Sequence, residues 1–286
     1  MYHRHLQIKA SRAALCRAKG ILQFVSSSHT LSTRMINASG MTIHWQTASS
    51  QPPDVLCLHG FSSSFRRNWY GAGWVSRLTD SGHGPFGPDL RGHGNSEKSH
   101  SHVDFHPLVH MGDINAGLDE LTPDPVHVVG FSMGAAIALQ FGMLYPERCK
   151  SLTLIAVGDK IIDTIPPPME PSWIADALST HHPDKIPSDI GRTFRQFAER
   201  GNNDLLALSA MMRTGGWPGR VVDDRPVNVP MRLIFAEKDT FMPTHEKLLQ
   251  HFPAARHCII PGTSHLDLAL SQEAMKVTAS FIDEHA

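Results

Sequence analysis

Cysteine, net charge and long apolar runs are all scarce in this chain, and each scarcity removes a class of function. Of 286 residues only 4 are cysteine, Cys16, Cys57, Cys149 and Cys258, with no C-x-x-C and no cysteine–histidine spacing among them. That excludes a disulfide framework and a thiolate metal site, and leaves reduced, mostly buried thiols. Lys plus Arg number 26 against 27 Asp plus Glu, a formal net charge of -1. No basic field is available to hold nucleic acid or an anionic membrane, so a small molecule is the expected partner. The stretch 125–145, without Asp, Glu, Lys or Arg, has the length of a membrane span, but His127, Ser132, Gln140 and three glycines interrupt it. It reads instead as a buried strand, a turn and a helix, without stable membrane insertion. A phosphate loop of the G-x-x-x-x-G-K type is missing, and so is any repeat of the length that builds solenoids.

Acidic residues are missing altogether from positions 1–53, which hold six Lys or Arg, leaving 20 basic against 27 acidic residues in the remainder. Arg4, Lys9, Arg12, Arg17 and Lys19 lie among Ala and Leu ahead of Ser26-Ser27-Ser28, a composition like that of a mitochondrial presequence. A plain tail, or an upstream start ahead of a beginning at Met35, fits the same residues, and the apolar stretch 20–25 is too short for a secretory signal core. Residues 1–34 are therefore set apart as an extension and 35–286 taken as the domain. The expected location is cytoplasmic, or mitochondrial if the extension acts as a presequence.

What is present is globular: 41% hydrophobic and 19% charged residues, with 22 Gly and 20 Pro scattered along the chain. Residues 35–38 and 41–47 around Ser39-Gly40 read as a hairpin. Short apolar runs at 55–58, 85–90, 126–131, 151–157, 231–235 and 257–260 alternate with helical patterns at 74–81, 104–121, 133–145, 243–251 and 267–283. Repeated strand-then-helix order predicts an α/β fold, a mostly parallel central sheet with helices on both faces. About 160–228 breaks the alternation with three helical patterns and the Pro166-Pro167-Pro168 run. Its Trp173, Ile174, Phe194, Phe197, Leu205, Met211, Met212 and Trp217 form an apolar face too large to leave in water, so it is expected to fold down as a small helical cap.

The motif that carries chemistry is Gly130-Phe131-Ser132-Met133-Gly134, between the apolar run 126–129 and the helix-forming run 135–139. A G-x-S-x-G in that context is a strand-to-helix elbow that thrusts a serine out at the sheet's carboxyl edge. With Leu58-His59-Gly60-Phe61, the block Asp89-Leu90-Arg91-Gly92-His93-Gly94-Asn95-Ser96, and Asp239 followed by His265, the elbow makes four blocks in an order that resembles the α/β-hydrolase fold family from Met35 to the end. The resemblance implies Ser132 as nucleophile, His265 as base and an acid that orients the base. Asp239, just past the strand at 231–235, is preferred for the acid; Asp159 after the preceding strand is the second choice, with Glu237 and Asp267 near the two loops. The backbone N–H groups of Phe61 and Met133 are the expected oxyanion donors. His59 is expected to be a structural hydrogen-bonder, and Asp89 and Arg91 to fix loops. The side chains of Phe61 and Met133 could line an acyl pocket, and Phe65, Trp69 and Trp74 could reach its mouth.

His100, His102, His106 and His110 cluster, but no motif fixes a third ligand, and a solvated loop and helix face is the expectation. No metal and no cofactor is called for. Within the resembled family, epoxide hydrolases and haloalkane dehalogenases carry aspartate as the nucleophile, and the epoxide branch also needs lid tyrosines. This chain has Ser132, and its three tyrosines, Tyr2, Tyr70 and Tyr145, all lie outside the insertion. The expected activity is a carboxylesterase-like hydrolysis of a small-molecule ester, thioester or lactone through an acyl-enzyme, so the small-molecule substrate carries an acyl group. A carbon–carbon bond hydrolase with the same triad, or a non-catalytic ligand-binding protein on this fold, are the alternatives.

Overall fold

The computed structural model describes residues 30–48, 51–162, 172–214 and 226–286. The basic segment up to residue 29, the Pro166-Pro167-Pro168 run and Trp217 lie outside the described residues. Eight strands form one sheet in the order β1-β2-β4-β3-β5-β6-β7-β8. They are β1 (Leu31–Ala38), β2 (Met41–Ala48), β3 (Val55–Leu58), β4 (Pro85–Pro88), β5 (Val126–Phe131), β6 (Cys149–Ile155), β7 (Met231–Ala236) and β8 (Arg256–Ile260). The β1–β2 and β2–β4 pairs are antiparallel, and every pair from β4–β3 to β7–β8 is parallel. The hairpin turns through Ser39 and Gly40, both at positive φ (45° and 79°), the geometry that matches the strands' right-handed twist.

The helices are α1 (Trp74–Asp80), α2 (Pro107–Leu121), α3 (Met133–Leu144), α4 (Ser172–Ser179), α5 (Asp189–Arg200), α6 (Leu205–Met212), α7 (Glu246–His251) and α8 (Gln272–Asp283). Alternation along the strands splits the core in two. Leu56, Leu58 and Val128 join Met111, Ile114 and Phe141 on one face, whereas Val55, Cys57 and Val129 join Trp69, Trp74, Met275 and Ile282 on the other. Both faces of a parallel sheet are thereby covered, which is why β3 reads as an unbroken apolar run and β5 as one interrupted by His127. Helices α4 to α6 form the cap between β6 and β7. Ile174, Leu178, Leu208, Met211 and Met212 bury its apolar side in the first cluster, while Trp173 remains 41% exposed.

Several boundaries differ from expectation for local reasons. Strand β1 starts at Leu31, so a division after residue 34 falls inside it; Leu31–Arg34 pair with Ala48–Trp45 along the backbone ladder, with the Ser32 hydroxyl donating to the Thr47 carbonyl at 3.4 Å, and their side chains give no apolar alternation to read. Helix α2 starts at Pro107 rather than 104, because the residue before a proline is driven out of helical geometry and His106 is extended (ψ 137°). The last helical pattern divides at Ser271, whose hydroxyl caps α8 by accepting the Ala274 N–H. Cys57 and Cys149 are buried, and burial pushes the Cys149 thiol up to about 12, so it is an inert thiol. Among the described residues no helix is long and apolar enough to cross a membrane.

Candidate active site

Strand β5 delivers Phe131 to the sheet's carboxyl edge, and Ser132 turns the chain into α3 with φ 52° and ψ -113°. A residue with a side chain holds that conformation only where its neighbours enforce it. Here the Ser132 N–H donates to the Ile155 carbonyl at 2.8 Å, pinning the turn to the end of β6. The flanking glycines are obligatory: a Cβ at Gly134 would lie 2.1 Å from the Leu58 carbonyl oxygen, and one at Gly130 would lie 2.4 Å from that of Gly134.

His265 reaches this serine from the loop after β8, with its Nε2 2.9 Å from Ser132 Oγ. Its Nδ1 lies 2.7 Å from Oδ2 of Asp239, in the loop after β7. The two loops are tied together, since the Lys238 N–H donates to the Thr263 carbonyl at 2.8 Å and the Gly262 N–H to Glu237 at 2.8 Å. Asp239 Oδ1 accepts the N–H groups of Phe241 and Met242, each at 2.9 Å. Burial alone would raise the Asp239 pKa, but the His265 hydrogen bond and those two N–H groups hold it below the ordinary carboxylate value. The carboxylate therefore stays ionised, accepts a hydrogen bond from Nδ1–H of His265, and leaves Nε2 as an acceptor for the Ser132 hydroxyl.

The rival acids are employed elsewhere. Asp159 accepts the Leu248 N–H at 2.9 Å at the start of α7, Glu237 holds Gly262, and Asp267 accepts from the Ser264 hydroxyl at 2.7 Å. Of the carboxylates weighed for the role, Asp239 is the one brought to His265.

Beside the elbow lies the turn at Gly60-Phe61. The Gly60 N–H is held by Asn68 Oδ1 at 3.0 Å, and a Cβ on Gly60 would meet the Phe131 ring at 3.1 Å. His59 spans the turn: one ring nitrogen donates to the Gly60 carbonyl and the other accepts the Leu90 N–H, both at 2.8 Å. Burial lowers its pKa, so it stays neutral in that one tautomer. Met133 is the first residue of α3, where backbone N–H groups have no partner within the helix and the dipole favours negative charge.

Asp89 binds four donors, Gln46, His44 and the N–H groups of Phe65 and Asn95, and so ties strand β2 to the segment after the Gly60-Phe61 turn and to the loop after β4. Arg91 grips Asp113 with two nitrogens at 2.9 and 2.7 Å and donates to the Asp104 carbonyl. Phe65, Trp69 and Trp74 are completely buried in the cluster across the sheet from the cap, and take no part in the site. The histidine cluster disperses. His100 pairs with Asp204 of the cap at 3.0 Å, and His106 precedes α2. His110 departs from the expected solvated face: it is buried, and burial together with the charge of Arg91 lowers its pKa to about 3. The residue lies on the helix side that packs inward with Met111 and Ile114, which four-residue spacing of histidines alone could not reveal. Among the described residues no group of three or more His, Cys, Asp or Glu could hold a metal ion.

Sequence reasoning missed an aromatic collar. Phe131 and Phe241 flank the His265 ring at 5.7 and 5.3 Å, and Phe194 of α5 lies 5.9 Å from Phe241 and 5.6 Å from Phe61. Phe194 carried only its share of the cap's apolar pattern as a signal, and Phe241 carried none.

Known proteins resemble this arrangement at several levels. Over 125 residues the chain is 34% identical to epoxide hydrolase 3 of Siraitia grosvenorii, a match covering 43% of this chain and 37% of that protein. It is 26% identical over 237 residues to a Bacillus subtilis protein named as a candidate 2-succinyl-6-hydroxy-2,4-cyclohexadiene-1-carboxylate synthase, covering 74% of this chain and 83% of the relative. The structure of a tyrosine-to-phenylalanine mutant of epoxide hydrolase from Solanum tuberosum superposes with a TM-score of 0.72 at 18% identity, over 89% of this chain and 100% of that one. The chain thus spans little more than a third of the epoxide hydrolase it matches in sequence, whereas the superposition shows a shared fold. A family model described as alpha/beta hydrolase fold matches residues 53–213, more than half of the chain, and the chain belongs to that family.

Proposed function

We propose that the protein is a serine hydrolase that cleaves a small-molecule carboxylic ester, thioester or lactone through a covalent acyl-enzyme. The observation that carries this reading is the unbroken relay from Asp239 through His265 to Ser132, at 2.7 and 2.9 Å. Nε2 of His265 removes the hydroxyl proton as Ser132 Oγ attacks the carbonyl carbon, and the backbone N–H groups of Phe61 and Met133 hold the oxyanion of the tetrahedral intermediate. His265 then gives the proton to the departing alkoxide or thiolate. Water attacks the acyl-serine, with its proton passing to Nε2, and the acid leaves as Ser132 recovers its hydrogen. Phe61, Phe194 and Phe241 supply an apolar surround suited to a hydrophobic acyl chain. Because such surfaces discriminate by only about 1–3 kcal/mol per methylene, the selectivity is graded.

The named epoxide hydrolases suggest a different bond, but that chemistry in this family asks for an aspartate where this chain has Ser132, and for lid tyrosines where it has none. A second reading retains the triad and moves it to a carbon–carbon bond of a vinylogous diketone. The wide match to a relative named for a carbocyclic acid supports keeping it. Incubation with a fluorophosphonate and peptide mass spectrometry tests the first reading: stoichiometric labelling of Ser132 is expected, with none in Ser132→Ala. Folded wild-type protein that stays unlabelled and turns over no ester, thioester or lactone overturns it; loss of colour from a vinylogous diketone without ester turnover favours the second.

A further inference from the structure

Ser62 follows the Gly60-Phe61 turn with φ 61°, in the left-handed region that a residue with a side chain occupies only when held there. Its restraints come from two sides. In the main domain, His93 Nε2 accepts the Ser62 N–H at 3.1 Å, and Arg67 Nη1 donates to the Ser62 carbonyl at 3.3 Å. From the cap, the Asn203 side-chain amide donates to the same carbonyl at 3.1 Å and to the Ser62 hydroxyl at 3.0 Å. Ser62 is 0% exposed, so with the cap in place these partners act out of contact with solvent.

Asn203 belongs to the turn between α5 and α6 and is itself fixed, its N–H donating to the Ala198 carbonyl at 3.2 Å. Arg67 reaches the same turn through the Gly201 carbonyl at 3.1 Å. A Cβ on Gly201 would stand 2.1 Å from Asn203 Nδ2 and 2.6 Å from Arg67 Nη1, so a side chain there would displace the two groups that hold the Ser62 carbonyl. One residue earlier, the Phe61 ring packs on Phe194 of α5. The cap thus grips two consecutive residues, Phe61 and Ser62.

We infer that Asn203 is a positioning residue for the oxyanion site: by holding Ser62 in its left-handed conformation, the cap turn sets the Phe61 backbone that receives the developing charge. This rests on the acyl-transfer reading above. It makes oxyanion stabilisation conditional on the cap being seated, so that a displaced cap leaves Ser132 and His265 in place with a poorly aimed donor.

The test compares wild type, Asn203→Ala, Gly201→Ala and His100→Ala. The last removes another strap between cap and main domain, to Asp204 at 3.0 Å, without touching Ser62. The probes are p-nitrophenyl butyrate, a straight-chain alkyl trifluoromethyl ketone whose serine adduct carries an oxyanion, and the methyl ketone of the same chain. Asn203→Ala and Gly201→Ala are expected to lower kcat by about 10- to 100-fold with KM little changed, as misplacing a reacting group by an ångström does. They should weaken the trifluoromethyl ketone by a similar factor and leave the methyl ketone unaltered, while His100→Ala changes each quantity by less than about twofold, as for exposed ion pairs. Unchanged kcat and trifluoromethyl ketone inhibition, or equal weakening of both ketones, overturns the inference. Should Asn203→Ala not accumulate as folded protein, Asn203→Asp keeps the volume, removes both donors and carries the same expectation. Wild-type protein that a fluorophosphonate fails to label would remove the acyl-transfer reading and this inference together; a reactive wild type with indifferent Asn203 variants removes this inference alone.

Discussion

Asp239→Asn is the substitution whose outcome the geometry fixes most tightly. In an asparagine at this position the amide oxygen has one tenable place. Oδ1 accepts two backbone N–H groups, from Phe241 and Met242 at 2.9 Å, and turning the amide over would face its NH2 against both. The NH2 must therefore occupy the Oδ2 site, 2.7 Å from His265 Nδ1. A donor there obliges Nδ1 to accept, which moves the ring proton to Nε2 and leaves Ser132 with no base. The expected loss is about ten-thousand-fold in kcat, or about 5 kcal/mol of barrier, with the fold intact. Initial rates on p-nitrophenyl butyrate measure it, and the rate of fluorophosphonate labelling should fall in parallel. Asp159→Asn is the comparator: its Oδ1 can go on accepting the Leu248 N–H, so turnover is expected to remain near wild type. A loss of less than about tenfold in Asp239→Asn, a small fraction of what removing the triad acid costs elsewhere, refutes the tautomer argument. A large loss in Asp159→Asn refutes the assignment of the acid.

Gly134→Ala should both destabilise the domain, by about 1–3 kcal/mol as overpacking does, and slow labelling of Ser132. Its Cβ would press on the Leu58 carbonyl that leads into the Gly60-Phe61 turn, and urea unfolding with labelling kinetics reads both effects. Arg91→Leu leaves Asp113 as a buried charge without its partner and is expected to cost about 3–5 kcal/mol in unfolding experiments. The fraction that remains folded should keep its turnover, since Arg91 holds loops rather than substrate. At the opposite edge of the sheet, Asp54 and Asp283 flank His83 at 2.8 and 3.0 Å, and the Asp54 hydrogen bond, then that of Asp283, raise its pKa above 6.5 against opposing burial. The protonated ring is the favoured form, so its contribution is complete below pH 6.5 and lost as pH rises through the raised value. Asp54, lowered below 3.8 by His83 and Gly84 although burial alone would raise it, contributes above 3.8 and loses that contribution as pH falls through its lowered value. Thermal unfolding of His83→Gln should therefore lack the alkaline fall in stability expected of wild type; an identical pH profile refutes the clamp.

The sheet and the meeting of Ser132, His265 and Asp239 were legible in the sequence because both leave local marks. Buried parallel strands print unbroken apolar runs, as at Val55–Leu58, and the elbow needs glycine at 130 and 134 whatever surrounds it. His265 was legible through its loop, although 19 histidines were available to choose from. Edges and caps were less visible. Leu31–Arg34 are in β1 because the backbone of β2 is there to pair with, a reason lying in the partner strand. His110 entered the core because α2 turns that side inward, and the collar of Phe194 and Phe241 came together from residues 47 apart in the chain. Asn203 meets Ser62 across 141 residues, and nothing local to either residue announces the contact.

A shared fold does not choose the reaction, and here a side chain at the elbow separates acyl transfer from epoxide opening. Were Ser132 Oγ to open an epoxide, the product would be an ether on the serine. An ether has no carbonyl for the next water to attack, and His265 can deliver that water to nothing electrophilic. Attack on an ester leaves an acyl-serine, whose carbonyl oxygen returns to the same oxyanion donors and whose carbonyl carbon accepts the water that His265 activates. The aspartate of the epoxide branch escapes the difficulty because its own carboxyl carbon becomes the electrophile of the second step. The hydroxyl at position 132 therefore does more than substitute one nucleophile for another. It requires that the electrophilic carbonyl come from the substrate, and on that ground the proposed acyl-transfer reading is preferred to the activity named for the epoxide hydrolase relatives.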